Sequence, residues 1–422
     1  MPFKSIKTKP APKTPPSPPP VRVLPPQQTG RIVASWLFPA YLVVIFLGYL
    51  LMHSSLAMNH GNEMGAGQAL FTSVNAATLT GFPQSYAVNE FRPVGQATVF
   101  GLMLCGSMLT MIIGALAAVR LLRLPYGDWR IVKSAALVHA GAILIGALVL
   151  LVDTQRTTNQ AIFTATSAFA NCGLVLGELP SVVSWFTPVL LLPLITLGGL
   201  GLPVLMELYD YFIHRRKPST HSRVVLLMTG WLFVIGTLVL SALRSLAGEA
   251  GGWKYILTSS AATAVNARTA GFDFFFLPRS DSAAMWAIIV LMTLGGAAAG
   301  TAGGLRINTL AEIARQLLAR LRGKKITRSL WIALAWVAGY ALIVAITLAL
   351  LLKFQADLHP DESVLKAFSA TSNCGLCFHA IEKENLSQYY ILSAAMLAGR
   401  FCGLSVIWWM ADTTRQAEIA VA

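Results

Sequence analysis

Long runs without a charged residue alternate with shorter, more polar ones along the 422 residues. Eight runs reach the length of about 20 residues needed to cross roughly 30 Å of hydrocarbon: 32–62, 93–119, 134–152, 179–206, 224–243, 282–305, 329–352 and 385–411, the last interrupted only by Arg400. They fall into four pairs. Between the members of each pair lies a stretch rich in Ala, Ser, Thr, Asn and Cys, at 68–82, 160–174, 256–272 and 365–376. These four stretches are too polar for ordinary spans, so each unit reads as long span, short segment, long span.

The short segments resemble one another. ATSAFANCGL (165–174) and AFSATSNCGL (367–376) agree at seven of ten positions, and VNAATLTGF (74–82) matches VNARTAGF (265–272) after a one-residue gap. Their terminal glycines, Gly81, Gly173, Gly271 and Gly375, are spaced by 92, 98 and 104 residues, which marks an internal repeat of about 100 residues. The expected division is a Pro-rich basic arm (1–31), repeats at 32–124, 125–217, 218–325 and 326–412, and a short tail (413–422).

Composition agrees: 55% of the residues are hydrophobic and only 12% charged, which excludes a soluble globular enzyme. The arm holds Lys4, Lys7, Lys9, Lys13 and Arg22 among ten prolines and reads as disordered or polyproline-like, either a tail beside an anionic membrane surface or a PxxP-type docking motif. It has no signal-peptide core, so the first span is expected to be retained. If the short segments dip in and return, the arm, the inter-repeat linkers and the C-terminus share one face with 22 Lys and Arg against 6 acids. The other face and the short segments hold 9 basic and 12 acidic residues. If instead the segments cross, as in a twelve-span secondary transporter, the linkers alternate sides, against the positive-inside rule. Re-entrance with cytoplasmic termini, in a multi-pass plasma-membrane protein, is therefore the expectation, and no Asp or Glu lies deep in a span to carry protons.

Non-helical backbone at membrane depth needs protein or water around it. Four re-entrant segments therefore predict a common aqueous axis, with half-helices such as 160–169 aiming their negative dipole ends at mid-membrane, where a cation is favoured. A glycine after each half-helix turns the chain at no steric cost and lets neighbouring carbonyls point inward. Four such turns make a ring of oxygens able to replace a cation's hydration shell.

With these residues in view, the chain resembles the Trk/Ktr/HKT superfamily of potassium transporters, whose four M1–pore-loop–M2 repeats each carry one filter glycine. The resemblance runs from about Ile32 to Met410 and rests on the four loops, on Leu197-Gly198-Gly199-Leu200-Gly201-Leu202-Pro203, on the glycine-rich stretch from Gly295 to Arg306, and on Gly399-Arg400. It implies an all-α membrane protein with eight transmembrane helices and four re-entrant segments around a pseudo-four-fold pore. It implies a potassium filter of Leu79, Thr80 and Gly81, of Asn171, Cys172 and Gly173, of Thr269, Ala270 and Gly271, and of Asn373, Cys374 and Gly375. Gly81, rather than Ser, goes with potassium over sodium in this family; a sodium-coupled or sodium-selective transporter of the same fold is the alternative.

The resemblance also implies a gate: a loop below the filter with Gly295, Gly296, Gly300, Thr301, Gly303 and Gly304, faced by Arg400. Read on its own, so glycine-rich a stretch cannot hold a helix, at about 1 kcal/mol per Gly relative to Ala. A mid-membrane arginine costs at least about 2.5 kcal/mol, so Arg400 must find compensating partners, pore-facing carbonyls or a helix-packing bond. Arg268 is expected to be an anchor behind the third loop. A homodimer is implied, with a soluble nucleotide-binding regulatory subunit on the basic cytoplasmic face; nucleotide enters only through that partner, potassium is the transported substrate, and nucleic acid is no partner. In the first M2, Leu104-Cys105-Gly106-Ser107 departs from the family's glycine pattern.

Other chemistry is sparse. The five cysteines read as small packing residues, Cys374-x-x-Cys377 lacking a second pair at zinc spacing. No H-E-x-x-H, intramembrane Asp pair or activated Ser or Cys points to an enzyme, and His139 reads as a packed span residue. Trp36, Trp253 and Trp331 read as interface anchors. Glu63, Asp273, Asp281, Asp357, Asp361 and Glu362 read as solvated loop residues or as a field that draws cations to the outer face.

Overall fold

The computed structural model describes residues 29–419 apart from 59–63, 84–85, 153–155, 180, 182–183, 185, 250, 273–281, 324–327, 356–358 and 382–384. The arm up to residue 28 and the acids Glu63, Asp273, Asp281 and Asp357 lie outside the described residues. The described chain is helical, with no strand among the described residues.

Six helices are long and apolar enough to cross a membrane: α1 (Thr29–His53), α3 (Pro93–Leu121), α4 (Asp128–Leu150), α8 (Thr220–Leu246), α12 (Arg328–Phe354) and α14 (Leu386–Ile419). Between them sit α2 (Ala66–Ala77), α5 (Thr158–Ala170), α9 (Gly252–Asn266) and α13 (Pro360–Ser372), of 12 to 15 residues. At 1.5 Å per residue these run only about 18 to 23 Å. A capping box starts α5, Thr157 N–H donating to Gln160 Oε1 at 3.0 Å and Gln160 N–H to Thr157 Oγ1 at 3.4 Å.

Two expected spans are broken. The run 179–206 becomes a π-helical turn (Thr187–Leu191) leading into α6 (Leu192–Leu200), then α7 (Leu202–His214) after a 106° bend. Gly201 takes φ +86° at the bend, and Pro203 has no N–H to continue the earlier helix. The run 282–305 is helical only as α10 (Ser282–Thr293); residues 294–306 form an irregular, largely buried loop before α11 (Ile307–Leu321). That break is where the glycines place it.

The long helices divide by burial. In the apolar windows of α1, α4, α8 and α12 only 22 to 28% is buried, against 78% in α3 and 44% in α14. The outward faces carry Phe46, Leu47, Leu144, Leu238 and Ile346, an apolar exterior suited to lipid. Trp36, Trp253 and Trp331 are all exposed.

The short helices are lodged at the centre, and the long ones support their C-terminal ends. The Tyr41 hydroxyl of α1 donates to the Ala77 carbonyl, and Tyr340 of α12 bonds the Ser372 hydroxyl at 2.6 Å. Gly106 performs the packing its atypical context left open: a Cβ there would sit 2.1 Å from the Ala77 carbonyl oxygen. His139 is buried, bonded to Ser107 Oγ at 3.0 Å and packed edge-on to Phe169. All five cysteines are free; Cys172, Cys374 and Cys377 are buried, while Cys105 and Cys402 are exposed.

Glu362 corrects the reading of a solvated loop acid. It is 2% exposed in α13, paired with the equally buried Lys366 at 2.8 Å and bonded by His379 at 3.2 Å. The i,i+4 spacing on a helix brings the two charges together away from water.

Candidate functional site

Each short helix ends in a turn of the same shape. Leu79 and Gly81 have φ of +59° and +78°; Asn171 and Gly173, +55° and +81°; Thr269 and Gly271, +77° and +72°; Asn373 and Gly375, +52° and +82°. In every turn, left-handed residues flank a middle residue: Thr80, Cys172, Ala270 or Cys374. The N–H of three of these middle residues reaches back to its own helix, Thr80 to Asn75 O at 3.0 Å, Cys172 to Ser167 O at 3.0 Å and Cys374 to Ser369 O at 2.9 Å. The Ala270 N–H does the same to Asn266 O at 2.9 Å.

With the N–H turned back, the opposite carbonyl turns inward. A Cβ on Gly271 would lie 2.6 Å from Cys374 O, 2.7 Å from Thr80 O and 3.0 Å from Cys172 O; on Gly173 it would lie 2.7 Å from Ala270 O. The carbonyls of the four middle residues, from turns up to about 300 residues apart in sequence, therefore converge on one small space. Residues 79–81, 171–173, 269–271 and 373–375 are all buried, with the four glycines and the four middle-residue carbonyls at this convergence.

Side chains hold the turns in two ways. In the first, Asn75 grips Phe82 twice, accepting its N–H at 2.9 Å and donating to its carbonyl at 3.0 Å. Asn266 grips Phe272 in the same manner, accepting its N–H at 2.8 Å. In the second and fourth turns the asparagine is instead the left-handed cap. Asn171 Nδ2 donates to Ile195 O at 2.9 Å and Thr301 Oγ1 at 2.9 Å, and Asn373 Nδ2 to Met396 O at 2.9 Å and Thr80 Oγ1 at 3.1 Å. The thiols of Cys172 and Cys374 face sideways onto Ala76 O at 3.9 Å and Ala267 O at 3.6 Å.

The loop 294–306 brings together Gly295, Gly296, Gly300, Thr301, Gly303 and Gly304 under these turns. It pairs with the glycine string of the bent helix, Ala297 N–H to Gly199 O at 2.9 Å, Thr301 N–H to Gly198 O at 3.0 Å and Leu202 N–H to Ala299 O at 3.2 Å. Thr269 Oγ1 accepts from Gly303 N–H at 2.8 Å.

Three buried guanidiniums hold the loop by its carbonyls. Arg400 donates to Thr301 O at 2.7 Å and, through Nε at 3.0 Å and again through Nη2, to Thr78 O at the end of α2. It is 1% exposed. Arg268 reaches Gly295 O at 3.3 Å, joining the third turn to the loop. Arg306 turns back into the loop it closes, onto Ala302 O, Ala297 O at 3.4 Å and Gly300 O at 3.5 Å. Among the described residues none of the three is ion-paired, so carbonyl dipoles carry the compensation that burial of a charge demands. Sequence reasoning missed Arg306, which read as the end of a glycine string. It also missed Asn75 and Asn266, although the shared Val-Asn at 74–75 and 265–266 was visible.

Fold and centre together define a polytopic helical membrane protein with backbone carbonyls gathered at its axis. The chain belongs to the TrkH family of cation transport proteins, whose profile matches residues 118–419. It is 28% identical over 414 residues to the Ktr system potassium uptake protein B of Bacillus subtilis, covering 88% of this chain and 91% of that one. It is 24% identical over 419 residues to the potassium/sodium uptake protein NtpJ of Enterococcus hirae, covering 90% and 92%. The crystal structure of the potassium transporter TrkH from Vibrio parahaemolyticus has the same fold, with a TM-score of 0.72 at 15% identity over 93% of this chain and 86% of that one.

Proposed function

We propose that the protein carries potassium across the plasma membrane through a filter made by the four turns. The observation that carries this reading is the convergence of the Thr80, Cys172, Ala270 and Cys374 carbonyls, hard oxygen ligands that can stand in for water around a monovalent cation. The short helices α2, α5, α9 and α13, about half a bilayer long, are read as re-entrant, and their C-terminal ends favour positive charge at the centre. Four repeats of long helix, re-entrant segment and long helix then surround a pseudo-four-fold pore. Basic linkers and both termini face the cytoplasm. A homodimer with a nucleotide-binding regulatory subunit on that face is part of the proposal, supported by the charge asymmetry and by similarity to Ktr system proteins.

Rubidium uptake into proteoliposomes tests the reading, with Gly81→Ser as its probe. A Cβ at Gly81 would stand 1.5 Å from Cys172 O, so the substitution must displace a carbonyl of the ring. Uptake is expected to fall as at the other ring glycines, and discrimination against sodium in the remaining flux by about tenfold, or ~1.4 kcal/mol; unchanged discrimination overturns the filter assignment.

The loop 294–306 is the proposed gate and Arg400 its latch. Arg400→Ala releases both Thr301 and Thr78, and uptake is expected to rise several-fold; wild-type uptake removes Arg400 from the gate. A second reading, transport coupled to or selective for sodium, is favoured by the similarity to NtpJ. Uptake measured with and without a sodium gradient separates the two.

A further inference from the structure

The loop 294–306 has one tether that leads away from the axis. Ala298 N–H donates to Asn308 Oδ1 at 2.9 Å. A backbone N–H can only donate, so this bond fixes which end of the Asn308 amide is oxygen. Its nitrogen, Nδ2, then faces the ring nitrogens of His221, Nδ1 at 2.9 Å and Nε2 at 3.4 Å. An amide NH₂ also only donates, so the imidazole nitrogen in that contact must be a bare acceptor. The hydrogen-bonding pattern therefore requires His221 to be neutral.

We propose that His221 and Asn308 are positioning residues for the loop, and that protonation of His221 from the cytoplasmic side loosens it. This rests on the reading of 294–306 as the gate. In the imidazolium both ring nitrogens are donors, and the 2.9 Å contact sets donor against donor. Asn308 cannot relieve the clash by flipping, because its oxygen would then leave the buried Ala298 N–H unpaired. The Asn308–His221 bond must break, and the amide that holds Ala298 loses its brace.

Burial of the ring opposes the imidazolium, and a neighbouring carboxylate works against that. His221 lies in the first turn of α8, a helix that packs along its length against α7, α11, α10, α9 and α6. From α7, Glu207 faces it, a buried carboxylate that also accepts Ser219 N–H at 2.7 Å and offers the counter-charge for an imidazolium turned away from Asn308. Beside α11, Arg306 is committed to loop carbonyls, and Glu312 to Arg315, Gln316 and Ser329. The sequences of α6 and α10 contain no titratable residue, and Lys254 and Tyr255 of α9 lie in its first turn, beyond the far end of α8. On α8 itself the neighbouring charge is Arg223.

The test is hydrogen exchange of the full-length protein in liposomes, read on peptides covering 294–306 and corrected for the intrinsic pH dependence of exchange. Between about pH 7.5 and about pH 5, a window carried to the acid end of the histidine range because burial disfavours the imidazolium, wild-type loop exchange is expected to quicken by roughly fivefold, as loss of one hydrogen bond implies. In His221→Gln the Gln side-chain oxygen accepts at every pH, and the step disappears. In Asn308→Ala the loop exchanges fast at both pH values. The same step in wild type and His221→Gln overturns the inference, as does wild-type behaviour in Asn308→Ala. Rubidium flux, measured in parallel at varied internal pH, is expected to rise on acidification in wild type only. If exchange follows His221 while flux does not, the positioning role stands and the gate reading falls.

Discussion

The first and third turns are built differently from the second and fourth, although their backbones trace the same path. In the former, an asparagine inside the short helix, Asn75 or Asn266, folds the turn onto itself by holding both polar groups of Phe82 or Phe272. In the latter the asparagine is the helix cap, and Asn171 and Asn373 reach outward to α6 and α14. Two turns are thus held from within and two from without. The asparagine grips have the symmetry of a pair of pairs: in the second and fourth turns the asparagine itself meets a neighbouring helix, whereas the first turn meets α14 through Arg400 and Thr78. Asn171 is the sharper case, since through Thr301 it joins the second turn to the glycine loop.

Substitutions at the ring itself, where both classes are alike, should have the largest effect. Gly375→Ala puts a Cβ 2.1 Å from Thr80 O at a φ of +82°, and Gly173→Ala one 2.3 Å from the Gly271 carbonyl carbon; both should lose about a hundredfold of uptake or more, given the size of such strain. Gly101→Ala, with open space around it, should transport normally.

The asparagines separate the classes. Asn75→Ala leaves the buried N–H and carbonyl of Phe82 unpaired, at about 1–3 kcal/mol each, and should lower both thermal stability and uptake by at least about tenfold. Asn171→Ala should melt closer to wild type yet raise unregulated flux, because it removes the side-chain tie between the second turn and Thr301; equal loss of stability in the two variants breaks the distinction. The smallest effect belongs to the thiols. Cys172→Ala and Cys374→Ala remove weak, long contacts, and uptake should stay within about twofold of wild type.

Much of this centre could be read from residue order because its constraints are local. A glycine after a polar half-helix, repeated near every hundred residues, marks a turn wherever the turn is placed in space. The break after Thr293 follows from glycine's cost in a helix, and the need of Arg400 for carbonyl partners from the cost of a buried charge. Partnerships across the sequence were not legible. Arg306 differs from a cytoplasmic arginine only because its chain folds back on Ala297, Gly300 and Ala302. Glu362 looked solvated because the start of α13 is polar; Lys366, one turn on, takes it out of water. The 106° bend at Gly201 was hidden because a run of apolar residues has the same composition whether straight or folded.

The burial of α3 bears on how the molecule is made. It is the most enclosed of the six long helices, yet α14, made after the other five, is among those that cover it and α2. Helices α1 to α3 must therefore wait in the lipid, their inner surface uncovered, until α14 has been made. Chains stopped before residue 386 should be recognised as unfinished by membrane quality control, whatever the integrity of the helices already inserted.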